Sequence, residues 1–438
     1  MSSATSATLH GRLARSSRKR QASQTRRDVA ILLVLFVVLF LRFPLKHWRG
    51  HPFLMDYEVY RATAVRVVTG DGAQVYAPTT SDKALFKYAP VWAILLVPLA
   101  GMSDHAGAVA WTALSVICFV ATFWVGARLC RRMGLSVEMA TAWLVTGLLW
   151  RLLMEEFLNG QANAVLGVLL VAALAGFAFR HHWQGALYLA LAISLKLPAL
   201  LLFVYLGLRR AWGAMARTII LFLLINGVAA ILLQPHDPLG VFRAWIHVLR
   251  MSAPDRAFEI GAQSLLALLG RFLTADGYGL NVLALSRSAV IWCTLAIQCV
   301  VLVGLSLSPE ARVRRLQWAI DGALIITMAA LFSPTCWLAT YTGLAFPLFV
   351  IFALLTTSPY AFLRDRWSVG LLASVGIFSV FLQKRAWWAL GIRRIAQEEY
   401  TYLVAMIAPW MALMVLLLLF RQRISGTPIL TASSRRRS

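Results

Sequence analysis

One carboxylate in this chain sits where a carboxylate is expensive. Asp56 follows Phe53-Leu-Met and is followed by Tyr57, Glu58 and Tyr60, an amphipathic stretch between apolar runs. Asp56 can cap a short interfacial helix, accepting hydrogen bonds from its first amides. A partly desolvated carboxylate also suits proton abstraction, so the same residue is a candidate general base. Lys196 is the matching oddity. Its ammonium interrupts the apolar run 185–208 and is followed by Leu197 and Pro198. A lysine at the bilayer centre costs about 2.5–3.5 kcal/mol, and proline breaks the helix beside it. Two shorter helices meeting at Lys196 outside the hydrocarbon cost less, with the ammonium either snorkelling to the interface or binding an anion. A base with a separate cation fits group transfer from a phosphate leaving group. The acid takes the acceptor proton, and the cation meets the departing charge, so the second carboxylate of a glycoside hydrolase is not required. His236 and Arg271 are further candidate cations for the phosphate.

Polar amides occur near both. Glu155 and Glu156 precede Asn159-Gly-Gln161-Ala-Asn163, which reads as a short turn before a helix. Gln161 and Asn163 offer donors and acceptors for sugar hydroxyls, and Asn159 or Asn163 can equally serve as a helix cap. Glu58, Tyr60, Tyr88, Gln263, Ser264 and Trp337 complete the candidate substrate contacts. No GxxxxGK[ST] loop, DxD pair, HExxH or Cys/His spacing is present, so neither a metal nor another cofactor is expected. The five cysteines show no CxxC spacing and read as reduced core residues.

The elements that must hold these residues are membrane helices. Hydrophobic residues make up 60% of the 438, charged residues 14%, and mean hydropathy is +0.72, which excludes a soluble fold. About 20 apolar residues cross a bilayer as a helix, and the runs are too long and continuous for barrel strands. The expectation is an all-α polytopic membrane protein of about 12 transmembrane helices. Residues 1–27 are expected as a disordered basic tail, 28–422 as one transmembrane domain and 423–438 as a second basic tail. The net charge of +24 is read as positive-inside topology rather than nucleic-acid binding, with both termini cytoplasmic. Charge bias also makes 88–102 an outer-face dip rather than a crossing. The long outer connections are then 46–87 and 234–286, with shorter ones at 154–163, 333–337 and 384–399.

The ordered signals resemble glycosyltransferase family 87. They are Asp56, Tyr60, Gly70 and Tyr76, then Tyr88, Pro90 and Pro98, Gly160-Gln161-Ala-Asn163, Lys196-Leu-Pro198, Gln263-Ser264 ahead of Arg271, and Ser333-Pro334 with Trp337. The chain departs from that pattern at Ala89, where a second proline is common, and after Trp337, where many members carry histidine. The resemblance implies a GT-C-like bundle with extracytoplasmic loops and interfacial helices in the plasma (inner) membrane. It implies inverting transfer of mannose from polyprenyl-phosphate-mannose to a glycan or glycolipid acceptor through α-1,2 linkages, with Asp56 as base. A transporter or flippase of lipid-linked sugars is the alternative, which the placement of acids in connections rather than at midplane disfavours. A purely structural membrane subunit does not account for the long outer loops.

Overall fold

The computed structural model describes residues 3–45, 54–78, 84–252, 256–259, 261–275, 281–306, 314–334, 336–389 and 397–424. Among these the fold is all-helical, with one isolated bridge between Thr274 and Leu285. In chain order the helices are α1 (Ser3–Arg42), α2 (Met55–Val68), α3 (Pro90–Leu95), α4 (Asp104–Arg132), α5 (Thr141–Leu148), α6 (Trp150–Asn159), α7 (Asn163–Ala178), α8 (His182–Leu195), α9 (Leu200–Leu208) and α10 (Trp212–Leu233). Next come α11 (Pro238–Ser252), α12 (Leu265–Leu273), α13 (Arg287–Ser306), α14 (Arg314–Leu331), α15 (Ala345–Thr357), α16 (Pro359–Arg364), α17 (Arg366–Phe381), α18 (Lys384–Ala389) and α19 (Gln397–Ile424).

Helix α4 shows how local sequence makes the scaffold. Ser103 accepts a hydrogen bond from the Ala106 amide at its N-terminus, Asp104 lies in the first turn, and Arg131 and Arg132 lie in the last. Each choice complements the helix dipole. Gly107, Trp111, Ser115, Phe119 and Phe123 recur every four residues and are buried. That stripe, extended by Gly126 against the Phe346 ring, packs on α7 and α15. The core is densest around the span Leu338–Thr357, 83% buried, whereas Trp212–Leu233 and Arg287–Leu305 are only 28% and 22% buried. Their exposed Leu223, Leu224, Ile231, Trp292 and Val300 form the apolar outer surface that lipid requires.

Among the described residues five helices are long and apolar enough to cross a membrane, and six if the bent pair α6–α7 counts as one span. Several other apolar pieces are 10–17 residues long. One is Pro90–Gly101, whose length of about 18 Å is too short to cross as a single helix. The break at Lys196 is also present. Lys196 is extended (φ −147°, ψ 127°) between α8 and a 3-10 turn at Leu197–Ala199. Both halves pack on α10, while α8 also packs on α7 and α9 on α14.

Residues 3–27, expected without structure, instead continue α1 as helix. The reason is local, since residues that favour helix (Arg, Ala, Gln, Leu and Lys) outnumber the segment's Ser, Thr and Gly. The C-terminal helix runs to Ile424, so the expected tail retains only 423 and 424 among the described residues; 425–438, like 390–396 in the last outer connection, lie outside them.

Buried ion pairs lock the end of the bundle where α4 finishes. Asp28, 4% exposed, pairs with Arg131 at 2.6 Å. Asp321, fully buried, accepts from Arg423 Nε at 2.8 Å and Tyr205 at 2.7 Å, with Arg209 at 3.7 Å. Arg423 also donates to the Gly304 and Leu305 carbonyls. Asp321→Ala strands two guanidinium groups and is expected to lower stability by about 3–5 kcal/mol. A detergent unfolding midpoint equal to that of the unaltered protein would contradict this.

Candidate active site

The other end of α4 carries the candidate chemistry. Asp56 stands in the first turn of α2, which Arg61 ties to α4 through Asp104 at 2.7 Å. Opposite Asp56 is a sharp break, where α6 and α7 bend by 112° across residues 160–162. Gly160 makes that turn possible. Its φ of +67° lies in the left-handed region, and an added Cβ would stand 2.9 Å from Tyr57 Cβ and 3.3 Å from Leu54 Cβ. The Gly160 carbonyl accepts from Trp111 Nε1 at 2.8 Å, which fastens the bend to α4.

A continuous chain of side-chain hydrogen bonds crosses this bend. Lys196 Nζ donates to Asn163 Oδ1 at 2.7 Å. Asn163 Nδ2 donates to Glu156 Oε2 at 2.8 Å and, more weakly, to Gln161 Oε1 at 3.4 Å. Gln161 Nε2 donates to Asp56 Oδ2. The second Glu156 oxygen accepts the Ala164 amide at 2.7 Å, satisfying one of the first amides of α7. Cation, two amides and carboxylate are thus aligned head to tail. Lys196 also lies within electrostatic reach of Asp56, Glu156 and Cys336.

Two tyrosines roof the carboxylate. The hydroxyls of Tyr60 and Tyr88 lie 2.6 Å apart, both rings are buried, and Tyr76 donates to the Tyr88 carbonyl at 3.0 Å. Burial, with Tyr88 and the nearby Asp56 charge adding to it, holds the Tyr60 hydroxyl far above the usual tyrosine range. Tyr57, whose buried hydroxyl has no hydrogen-bond partner among the described residues, is pushed up to about 12, again mainly by burial. Both stay protonated donors at physiological pH.

The remaining expected residues divide. Gln263 is 4% exposed, and its amide nitrogen donates to the Cys336 carbonyl at 2.8 Å, which joins the 263 loop to the Lys196 side of the site. Its carbonyl accepts from Tyr341, while its side-chain Oε1 is buried without a partner among the described residues. Trp337 packs over Gly261 with 36% of its surface exposed. Ser264 caps α12, accepting from Ala267 at 3.0 Å. Arg271 is 7% exposed, and its guanidinium bonds the carbonyls of Ala262, Glu259 and Ala405, an anchor for that loop. Asn159 bonds Glu155, itself paired with Arg151, and stands outside the chain. Glu58 is half-buried on α2. His236 is exposed where α10 gives way to α11, and no described hydrogen bond or ion pair links it to the others. Among the described residues no three His, Cys, Asp or Glu side chains converge as metal ligands.

Sequence reasoning assigned no role to Glu156, the one fully buried acid here. Its signal was present. It stands in the apolar stripe Leu149, Leu152, Leu153, Glu156, Phe157 at helical spacing, and a carboxylate there needs partners.

The model of glycosyltransferase family 87 matches residues 86–334, more than half of the chain. The chain belongs to that family. It is accordingly a glycosyltransferase, and the matched span contains the bend, Glu156, Asn163, Lys196 and the Gln263 loop, while Asp56 precedes it. A curated relative from Mycobacterium tuberculosis (strain ATCC 25618 / H37Rv) is a polyprenol-phosphate-mannose-dependent alpha-(1-2)-phosphatidylinositol mannoside mannosyltransferase. It is 28% identical over 320 residues, covering 64% of this chain and 72% of the relative. The crystal structure of ArnT from Cupriavidus metallidurans bound to undecaprenyl phosphate aligns over 92% of this chain and 79% of that one, at 16% identity and a TM-score of 0.41.

Gly160 gives a direct test of the bend. Gly160→Ala forces a left-handed alanine, at a cost of about 1–2 kcal/mol before any steric overlap is counted. Both the unfolding midpoint and the glycosyl-transfer rate are expected to fall; an alanine variant matching the unaltered protein in both would show that the turn does not depend on this residue.

Proposed function

We propose that this glycosyltransferase moves a hexose, mannose in the first instance, from a polyprenyl-phosphate carrier to an acceptor hydroxyl with inversion at the anomeric carbon. The observation that carries the reading is that one carboxylate and one ammonium, Asp56 and Lys196, stand at opposite ends of a single hydrogen-bonded chain. Inversion needs that separation. The acceptor oxygen attacks the anomeric carbon from one face while the bond to phosphate oxygen breaks on the other.

Asp56 takes the proton of the attacking hydroxyl, and the electron pair of the breaking bond leaves with the phosphate, whose charge Lys196 meets. No metal is assigned, since the leaving phosphate's charge falls to the ammonium. Gln161 and Asn163 link the two charges and carry amide groups suited to sugar hydroxyls. Tyr60 and Tyr88 lie near the Asp56 end. Mannose, the polyprenyl carrier and an α-1,2 product are supported by the mycobacterial relative. The acceptor is read as a glycan or glycolipid.

An extracytoplasmic site in the plasma membrane, with both termini cytoplasmic, is supported by charge placement. The cluster Arg128, Arg131, Arg132 lies at the far end of α4, about 43 Å of helix from the Asp56 end.

Purified protein supplied with radiolabelled polyprenyl-phosphate-mannose and a panel of glycolipid acceptors tests the reading. A labelled glycoside is expected, with Asp56→Asn lowering the rate by about 10²–10⁴-fold while folding is unchanged. Normal transfer by folded Asp56→Asn would remove Asp56 as base. Movement of the lipid between leaflets with no glycoside formed would replace transfer by transport.

A further inference from the structure

We propose that Glu156 is a positioning residue, which fixes the orientation of the Asn163 amide and through it the placement of both Lys196 and Gln161; this rests on the functional reading above. An asparagine amide has a donor end and an acceptor end that differ little in shape. Asn163 lies between an ammonium at 2.7 Å and a carboxylate at 2.8 Å. Only one orientation satisfies both, with the carbonyl toward Lys196 and the NH2 toward Glu156. The reverse would set NH2 against the ammonium and the carbonyl against the carboxylate.

The orientation then propagates. The same NH2 reaches Gln161 Oε1 at 3.4 Å, which leaves the Gln161 NH2 directed at Asp56. Glu156 itself is held rigidly. It is fully buried on the apolar stripe of α6, and its other oxygen is taken by the Ala164 amide. A buried carboxylate that only capped α7 would have no need of Asn163. Here one oxygen caps the helix and the other sets the relay.

The sequence of dependence gives a test that a merely structural acid would not satisfy. If Glu156 acts through Asn163, the effects of Glu156→Gln and Asn163→Ala on transfer must not multiply, because removing the relay leaves Glu156 nothing to orient. Each single variant is expected to lower kcat for polyprenyl-phosphate-mannose about 10–100-fold, as loss of an outer partner of an active-site ligand does. Acceptor KM should change little, and the double variant should be no slower than Asn163→Ala alone. Glu156→Asp, which keeps the charge, should recover part of the loss and serves if the glutamine variant fails to fold.

A second readout does not depend on the sugar donor. Trace acetylation of Lys196, followed by mass spectrometry, should rise equally in Glu156→Gln, Asn163→Ala and the double variant. Multiplying losses, or Lys196 labelling unchanged in Glu156→Gln, overturns the proposal. The controls separate the two readings. An active Asp56→Asn enzyme defeats the assignment of the base, whereas an inactive one with multiplying Glu156 and Asn163 effects defeats only the positioning role.

Discussion

The fold depends on a run of hydrogen bonds in which every donor points the same way, from Lys196 through Asn163 and Gln161 to Asp56. Opposite charges at the ends polarise the neutral amides between them, and each bond strengthens its neighbours in a low-dielectric setting. Such a network is costly when incomplete, because Asn163 at its centre is buried and its neighbours are half-buried. Four separately packed elements must therefore meet in register. They are α2, the end of α6, the start of α7 and the break after α8. The 112° bend, the left-handed Gly160 and the Trp111 bond to its carbonyl are the local means by which that register is kept.

The ion pairs at the two ends of the bundle differ in burial. Near the site Arg61–Asp104 and Arg151–Glu155 are partly exposed, and neutral amides and tyrosine hydroxyls stand among the other charges. At the far end, guanidinium groups meet carboxylates directly, as in Asp28 with Arg131 and Asp321 with Arg423. Those buried pairs resist separation, whereas the more exposed Asp365–Arg421 pair contributes little beyond orientation.

Legibility followed cost. Asp56 and Lys196 were visible because each is an ionisable residue in apolar company, and the Lys196-Leu-Pro198 break was visible because proline and a buried charge both oppose a continuous helix. The turn at Gly160 announced itself through glycine and amides. What the sequence hid was pairing across distance. Nothing local says that Tyr60 meets Tyr88, 28 residues on, or that Asn163 lies against Lys196, 33 residues on. Glu156 was overlooked because an acid three places from a polar turn reads as surface unless the apolar stripe around it is counted. The extent of α1 was missed because a charged, polar segment satisfies the composition of a flexible tail and the propensity of a helix at once.

Helix α3 begins at Pro90, and like any helix it leaves its first amides without partners of its own. Asn226, fully buried on α10, accepts the Val91 amide at 3.2 Å and donates to Ser194 Oγ, while the Ala89 amide bonds the Ser194 carbonyl. The partners that make this piece tolerable in an apolar setting are therefore synthesised more than a hundred residues after it. During biogenesis residues 90–101 can complete these hydrogen bonds only once the helix bearing Asn226 has been made and packed beside them, near the midpoint of the chain.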